Sequence, residues 1–251
     1  MASPSVTAID RVIDIFEAFR ARRGPMSLTE LAEAADIPKS TCHAIVTTLA
    51  ARGYLYTRSY PRSLYPTRRM YDVARDIGAA DTLIEMATPQ LERLRDATTE
   101  TVILGKRQGD AAVYLRVIEG LHPIRYSARP GDLKPLHSSS IGKALLGSIR
   151  QAQLGEWLQG RALERVTTST VTDAHALERE ILQSRRAGFF QTCGENVSDV
   201  WAVAAFMTVN RETLAVAVAG PRNRMEANML EHARQLAATC SLISRELDTP
   251  A

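Results

Sequence analysis

The sequence predicts an α+β protein of two domains, and three observations predict it. Apolar residues recur at helical spacing through residues 9–52 and then switch to strand-like alternation. From about residue 82, two strand-rich stretches surround helical ones, the pattern of one antiparallel sheet covered by helices. The net charge sits in the first third: residues 1–78 carry 11 Lys/Arg against 8 Asp/Glu, while the rest hold 20 of each.

Taken in order, Ile9, Val12, Ile13, Phe16 and Phe19 place an apolar stripe on a first helix, which Gly24-Pro25 ends. Ser27-Leu28-Thr29-Glu30 is a capping box, in which Ser27 caps a helix and Glu30 reaches back to it. Leu28, Leu31, Ala32 and Ala35 give that short helix one apolar face. Asp36-Ile37-Pro38 breaks it, and Pro38 suits the first position of the next helix, where an N–H has no partner anyway. That helix runs to about Arg52, with Cys42, Ile45, Val46 and Leu49 inward and Lys39, Ser40, Thr41, His43, Thr47 and Thr48 outward. Gly53 closes it, and 54–64 forms a hairpin with Ser59-Tyr60-Pro61-Arg62 at its tip. A short helix, a tight turn, a second helix with a small, polar, basic outer face and a hairpin make a winged helix-turn-helix, a reader of the DNA major groove. This domain spans 1–67; a linker helix and hinge, ending at Gly78-Ala79-Ala80-Asp81, span 68–81.

The second domain, 82–251, opens with a helix over 82–97. Residues 101–106 and 111–119 alternate as strands about Gln108-Gly109-Asp110, and 123–128 is a third strand. Helices follow over 138–148 and 151–158. Thr172-Asp173 caps another, with Leu177, Ile181 and Leu182 inward, ending near Gly188. Strands over 200–209 and 213–219 meet at a polar turn, and a long helix over 224–247 closes the chain.

Composition narrows the function classes. A hydrophobic fraction of 45% and a charged fraction of 24% are those of an ordinary globular protein. No run of about 18 apolar residues is present to span a membrane. Met1-Ala2-Ser3-Pro4-Ser5 lacks the basic start and apolar core of a signal peptide. Cys42, Cys193 and Cys240 are odd in number and far apart, which points to a reducing cytoplasm. No Cys or His pair has zinc spacing, and no metal or cofactor is expected. From Ile37 through Tyr71 there is no acidic residue, while Lys39, Arg52, Arg58, Arg62, Arg68 and Arg69 fall there. Such a stretch suits phosphate binding.

These residues carry a family resemblance. Leu28-Thr29-Glu30-Leu31-Ala32, Pro38-Lys39-Ser40-Thr41, His43 and Arg52-Gly53-Tyr54-Leu55 are joined later by Pro135-Leu136-His137, Gly142-Lys143-Ala144-Leu145-Leu146, Thr172-Asp173 and Gly220-Pro221. In this order and spacing the chain resembles the IclR (isocitrate lyase regulator) family of bacterial transcription factors over nearly its whole length. The resemblance implies a winged-helix domain, a linker helix, and a GAF/PAS-like sensing domain. It also implies homodimers, often paired as dimers of dimers. Ala44 stands where members usually carry an arginine, and Leu64-Tyr65-Pro66 replaces the usual wing ending. The small-carboxylate sensors of the family use N–H groups near Ser140 and Ile141 with an aspartate, a cysteine and two serines. Those four positions here are Thr192, Ala202, Ala217 and Ala219. One hydroxyl and three methyls imply a pocket for an apolar or aromatic body, because each unpaired buried polar group of a ligand costs about 1–3 kcal/mol. Tightly packed strands with a small or lost pocket are the alternative.

Other motifs resolve by chemistry. His137-Ser138-Ser139-Ser140 with Gly142-Lys143 is no phosphate loop, since His137 and Ala144 stand where a glycine and a Ser or Thr are needed. A serine nucleophile would need a sharp elbow between glycines, which is absent. One of Ser138, Ser139 and Ser140 instead caps the following helix, whose free N–H groups suit a ligand oxygen. Arg125, Arg129 and Lys134 either face solvent or meet a ligand carboxylate, and Trp201 lines either the pocket or the other sheet face. The expected function is a regulator of a catabolic operon with operator DNA and a small effector as partners. DNA would be read by Lys39, Ser40, Thr41, His43, Thr47 and Thr48, with Arg52, Arg58, Arg62, Arg68 and Arg69 on phosphates or in the minor groove. Effector would bind among Tyr126, Ser127, Ser138, Ser140, Ile141, Thr192, Ala202, Ala217 and Ala219. A regulator using its second domain only to oligomerise is the alternative, and an enzyme acting on a small acid is a third reading that lacks a motif.

Overall fold

The structure, a computed structural model, describes residues 7–247; the leader reading at Met1-Ala2-Ser3-Pro4-Ser5 lies outside them. Two compact units divide between Asp81 and Thr82. The first holds α1 (Thr7–Arg22), α2 (Leu28–Ala34), α3 (Lys39–Ala51), β1 (Leu55–Ser59), β2 (Arg62–Pro66) and α4 (Arg69–Ala79).

Local chemistry sets the ends of these elements. Ser27 Oγ accepts from the Glu30 N–H at 3.2 Å and the Ser27 N–H donates to Glu30 Oε2 at 2.8 Å, which closes the capping box of α2. Asp36, at φ 50°, turns the chain, and the Ile37 N–H returns to the Ala32 carbonyl at 3.0 Å. Pro38 sits one position earlier than its chemistry suggested: it caps α3 from outside, its carbonyl accepting from Cys42 N at 2.9 Å. Gly53, at φ 76°, ends α3 while the Tyr54 N–H bonds the Leu49 carbonyl at 2.8 Å. The inward stripe of α1 is rotated from the one expected. Ile15, Ala18 and Phe19 are buried, whereas Ile9 and Ile13 are 58% and 54% exposed. Ile15 and Phe19 pack with Leu31, Cys42, Val46 and Leu55 into one core.

The second unit holds α5 (Thr82–Thr98), β3 (Thr101–Gln108), β4 (Ala111–Ile118), β5 (Leu133–Pro135), α6 (Ser140–Ser148), α7 (Gln151–Leu158), α8 (Ala174–Ala187), β6 (Phe190–Cys193), β7 (Val200–Val209), β8 (Glu212–Pro221) and α9 (Arg222–Leu247). The strands form one antiparallel sheet in the order β5-β4-β3-β8-β7-β6. Its period-two alternation sorts side chains onto two buried faces. Ile103, Tyr114, Ala202, Ala204, Ala217 and Ala219 pack toward α6, α7 and α8. Val102, Leu104, Val203, Val216 and Val218 pack toward α5 and α9. Asn210 and Arg211, at φ 48° and 67°, make the tight turn between β7 and β8. Asp173 caps α8 by accepting from the Ala176 N–H at 2.7 Å, and Gly188 ends it at φ 82°.

Residues 123–128 are not a strand. Their carbonyls are taken by side chains: Thr101 Oγ1 donates to the Tyr126 carbonyl at 2.5 Å and Arg224 Nη2 to the Ile124 carbonyl at 3.0 Å. The strand beside β4 is instead the three-residue β5. Strand β6, also unforeseen, pairs Thr192 with Ala202 at the far edge. No described helix is long and apolar enough to cross a membrane.

Candidate DNA interface and effector cavity

Recognition helix α3 and the β1–β2 wing enclose an open space of about 590 Å³. Lys39, His43 and Thr47 wall it from α3, Arg62 from β2, and Thr29 from α2. The Met26↔Leu64 bridge ties the wing to the body of the unit, with hydrogen bonds of 3.1 and 2.7 Å. Lys39, Ser40 and His43 are exposed and Thr41 is half-buried. Thr47 Oγ1 donates its proton to the His43 carbonyl at 2.8 Å, so what it offers outward is an acceptor and a methyl group.

Two expected contacts lie elsewhere. Thr48 and Arg52 face the opposite side of α3, over an apolar groove shared with Val12 and Phe16 of α1 and Met70 and Val73 of α4. One residue along a helix is a rotation of about 100°, which takes Thr48 off the face that Thr47 occupies. Arg69 lies over the Tyr54 ring at 5.3 Å, and Arg68 over the Tyr71 ring at 5.1 Å and beside Asp72 at 3.6 Å. Arg58 and Arg62, on the wing, are exposed.

In the second unit, Ser139 turns out to be the capping serine of α6: its Oγ accepts from the Gly142 N–H at 3.1 Å and donates to the Pro135 carbonyl at 2.7 Å. The N–H groups of Ser140 and Ile141 have no partner within the helix. Gly142 is required here, because a Cβ would stand 2.4 Å from Leu136 Cα. Beside this helix start lies a cavity of about 30 Å³. Tyr126, Ser140, Thr192, Ala202 and Ala219 line it as expected; Ile103, Tyr114, Ser139, Asn196, Val197 and Val200 line it too.

Four expected effector residues are placed differently. Ile141, on α6, and Ala217, on β8, are buried in the core between that helix and the sheet and do not line the cavity. Ser138, fully buried, accepts from Asn196 Nδ2 at 3.3 Å. Ser127 is exposed and donates to Glu119 at 3.2 Å. The basic candidates do not line the cavity either. Arg125 is paired with Glu119 at 2.5 Å, and Lys134 lies 3.7 Å from Asp132. Trp201 packs on the α5/α9 face with Arg222 over its ring at 5.4 Å, which settles its side of the sheet. Burial, and after it the neighbouring Tyr126 phenol, pushes the Tyr114 phenol well above its usual range. The lining is thus more polar than the three alanines implied. Tyrosines, serines, a threonine and an asparagine supply neutral hydrogen-bonding groups, and none of the eleven lining residues is charged.

Behind α6, Lys143 is 1% exposed and its Nζ donates to Glu180 at 2.5 Å and to both Glu195 oxygens at 2.8 and 2.6 Å. Glu195 begins the segment that brings Asn196 and Val197 to the cavity. Burial pushes its carboxyl above the usual range, and Lys143 pulls it partly back.

The fold and these surfaces define a DNA-binding transcription regulator with a separate sensor unit. The family described as the bacterial transcriptional regulator IclR C-terminal matches residues 79–245, and the IclR helix-turn-helix domain matches residues 8–59. The chain belongs to the IclR family. It is 34% identical over 225 residues to the HTH-type transcriptional regulator BhcR of Paracoccus denitrificans, covering 89% of this chain and 80% of that protein. The Thermotoga maritima IclR crystal structure superposes with a TM-score of 0.82 at 22% identity, covering 97% of this chain and all of that one (100%). An IclR homologue from Microbacterium hydrocarbonoxydans, crystallised with 4-hydroxybenzoate, superposes at 0.74 with 23% identity, covering 95% and 99%. Both structures speak for the fold. The chain is a transcription regulator and not an enzyme.

Proposed function

We propose that the protein is a cytoplasmic, effector-responsive regulator of a catabolic operon, reading its operator through Lys39, Ser40, Thr41, His43 and Thr47. Arg58 and Arg62 serve the flanking phosphates or minor groove, with Arg52, Arg68 and Arg69 as outlying cations. The working unit is a homodimer or a dimer of dimers, since one winged helix covers one half-site. Residues 1–67 bind DNA, 68–81 link, and the GAF/PAS-like 82–251 sense and assemble. The effector is a small acid on an aromatic or apolar body, with its anionic end at the start of α6.

The observation that carries the effector reading is the cavity at that helix start, lined by neutral hydroxyls, an amide and aliphatic carbons. The N–H groups and helix dipole there favour a negative oxygen. The aliphatic wall of Ile103, Val197 and Val200 favours an apolar body. The complex of the Microbacterium homologue with 4-hydroxybenzoate supports this chemistry. At about 30 Å³ the cavity holds a water molecule, while benzene needs roughly 150 Å³. Binding therefore requires the Tyr126 or Asn196 wall to move. The same small volume favours the second reading, a regulator without an effector. A thermal-shift series with 4-hydroxybenzoate, benzoate and glyoxylate separates them. A ligand at 100 times its dissociation constant stabilises by about 2.7 kcal/mol. The expected result is a shift with the aromatic acids and none with glyoxylate. A shift with glyoxylate alone overturns the apolar-body reading, and no shift from any acid favours the effector-free reading.

A further inference from the structure

We propose that Tyr60 is a wedge that enters the DNA minor groove at the edge of the half-site and unstacks a base step, so that the wing reads the duplex by its deformability. The inference rests on the DNA-binding reading of the first unit and adds a reader that the helix-turn-helix does not contain.

Tyr60 is 97% exposed, which sets it apart from the other tyrosines of its unit. Tyr54 lies under Arg69, and Tyr56 and Tyr65 meet edge to face at 6.3 Å, with Tyr65 meeting Phe19 at 6.1 Å. Among the described residues no ring or cation contact reaches Tyr60. The ring nonetheless sits on a firm mount. Ser59 pairs with Arg62, so Tyr60 and Pro61 are the whole connection, and the ladder below continues through Leu55↔Pro66. Buried Leu55 and Leu64 and the Met26 bridge anchor that ladder to the core.

Charge names the partner. Arg58 pairs across the ladder with Ser63 and Arg62 with Ser59, so the two arginines occupy neighbouring positions on opposite faces of the ribbon. They straddle the apex, and no acidic residue lies between Ile37 and Tyr71. An exposed ring between two cations on an acid-free surface fits a groove walled by phosphates. It does not fit an acidic-residue-poor protein surface, which would offer the arginines nothing.

Dimensions decide which groove and which part of the wing. The major groove, about 12 Å wide, takes α3. The undistorted minor groove, about 6 Å wide, is too narrow for a ribbon of two backbones about 4.8 Å apart with its side chains, whereas a single side chain enters it without first widening it. The ribbon stops at the phosphate walls, where Arg58 and Arg62 lie, and only the apex side chain goes further. An aromatic ring, whose contact thickness is about 3.5 Å, passes edge-on. Architectural proteins insert apolar wedges between base steps in this way and bend the duplex. The phenol adds a hydroxyl for the N3 and O2 acceptors on the groove floor. The steps that open most readily are TA and CA/TG, so these are the sequences the wedge selects.

The test uses the full chain and a duplex selected from a random-sequence pool by the wild-type protein. End-to-end fluorescence transfer reads bending, and 2-aminopurine at the steps flanking the protected major-groove site reads unstacking. The wild type is expected to bend the duplex and brighten the probe at one flanking TA or CA step. Tyr60→Ala should abolish both signals and bind roughly tenfold more weakly, with an unchanged salt slope because no phosphate contact is lost. Tyr60→Phe should keep the bend. A Tyr60→Ala protein with wild-type bending and affinity overturns the wedge while leaving DNA binding intact. So does one that weakens all duplexes equally with a flatter salt slope, since that is the loss of a phosphate contact. A wild type that selects no duplex overturns the DNA reading itself and the wedge with it. At a fully exposed tip the alanine leaves the core untouched, and an unchanged thermal midpoint verifies this.

Discussion

The space between α3 and the wing measures about 590 Å³ and is walled by Lys39, His43, Thr47 and Arg62, whereas the cavity at the start of α6 measures about 30 Å³ and has no charged wall. The difference fits what each surface is proposed to hold. A duplex is stiff and highly charged, so cations can wait for it in water at little cost, and long-range attraction does the steering. A small molecule must be stripped of water to bind well. The site proposed for it is small, and any free energy needed to enlarge it subtracts from affinity. The most deeply buried cation of the second unit is held in a closed group, Lys143 with Glu180 and Glu195.

That contrast can be broken most sharply at Lys143. Lys143→Met leaves two carboxylates behind α6 without their cation, and unpairing a buried ion pair costs about 3–5 kcal/mol. A fall of that size in urea-unfolding free energy is expected, and a loss under 1 kcal/mol would mean the group is wetter than its burial implies. Next comes the packing under α6. Ala217→Leu should cost about 1–3 kcal/mol by overpacking, because Ala217 is 1% exposed and pairs with Ile103 and Ala204. Ala202→Leu, on the cavity wall, should instead abolish any aromatic-acid thermal shift. Equal effects of the two substitutions on ligand and stability would erase the distinction between core and cavity.

On the DNA side the effects are smaller and spread over all sequences. Arg62→Ala should weaken operator and random duplexes alike and lower the salt slope by about 1, as measured by titration at several salt concentrations. Unchanged slope would remove Arg62 from the phosphate contacts. The smallest effect is a pH dependence. Burial raises the folded carboxyl of Glu195 above 4.5. A raised value means the folded state holds the proton more tightly, so this group's contribution is complete below that ordinary value and fades as pH rises through the folded one. Glu195→Gln cannot titrate. The stability of wild type minus Glu195→Gln should therefore fall as pH rises from 4.5 toward neutrality, and a difference that grows over that range would reverse the sign.

How far the sequence was legible depended on whether local chemistry or tertiary contact set each feature. The capping box at Ser27, the Gly53 stop and the wing tip within residues 59–62 are local, and each lies where its residues said, although Ser59 and Arg62 prove to be the last ladder pair and leave Tyr60-Pro61 as the connection. The α1 stripe was harder, because apolar residues at 9, 12, 13, 15, 16, 18 and 19 cover more than one face and only the neighbouring helices choose between Ile13 and Ile15. Ile124, Tyr126 and Ala128 alternate as a strand does, but Thr101 and Arg224 take their carbonyl partners from a distance of 25 and 100 residues. At the cavity, strand alternation put Ala217 and Ala219 on the correct face. That α6 covers Ala217 and leaves Ala219 beside the space is a matter of helix placement, which no pattern within a strand records.

The tethering of residues 120–127 has a kinetic consequence. This segment, which brings Tyr126 to the cavity, has one backbone bond, from the Leu121 N–H to the Thr99 carbonyl, and otherwise hangs from separate side-chain bonds: Thr101 to the Tyr126 carbonyl and the Gly120 N–H, Arg224 to Ile124, Ser127 and Arg125 to Glu119. Such bonds release one at a time, with no ladder to unzip, so the wall can open while the sheet stays whole. A site that must open before it fills imposes a ceiling on how fast it fills. In rapid mixing, the observed rate of effector binding should rise with concentration and then level off at the opening rate of this segment, and loosening a tether with Thr101→Val should raise that plateau.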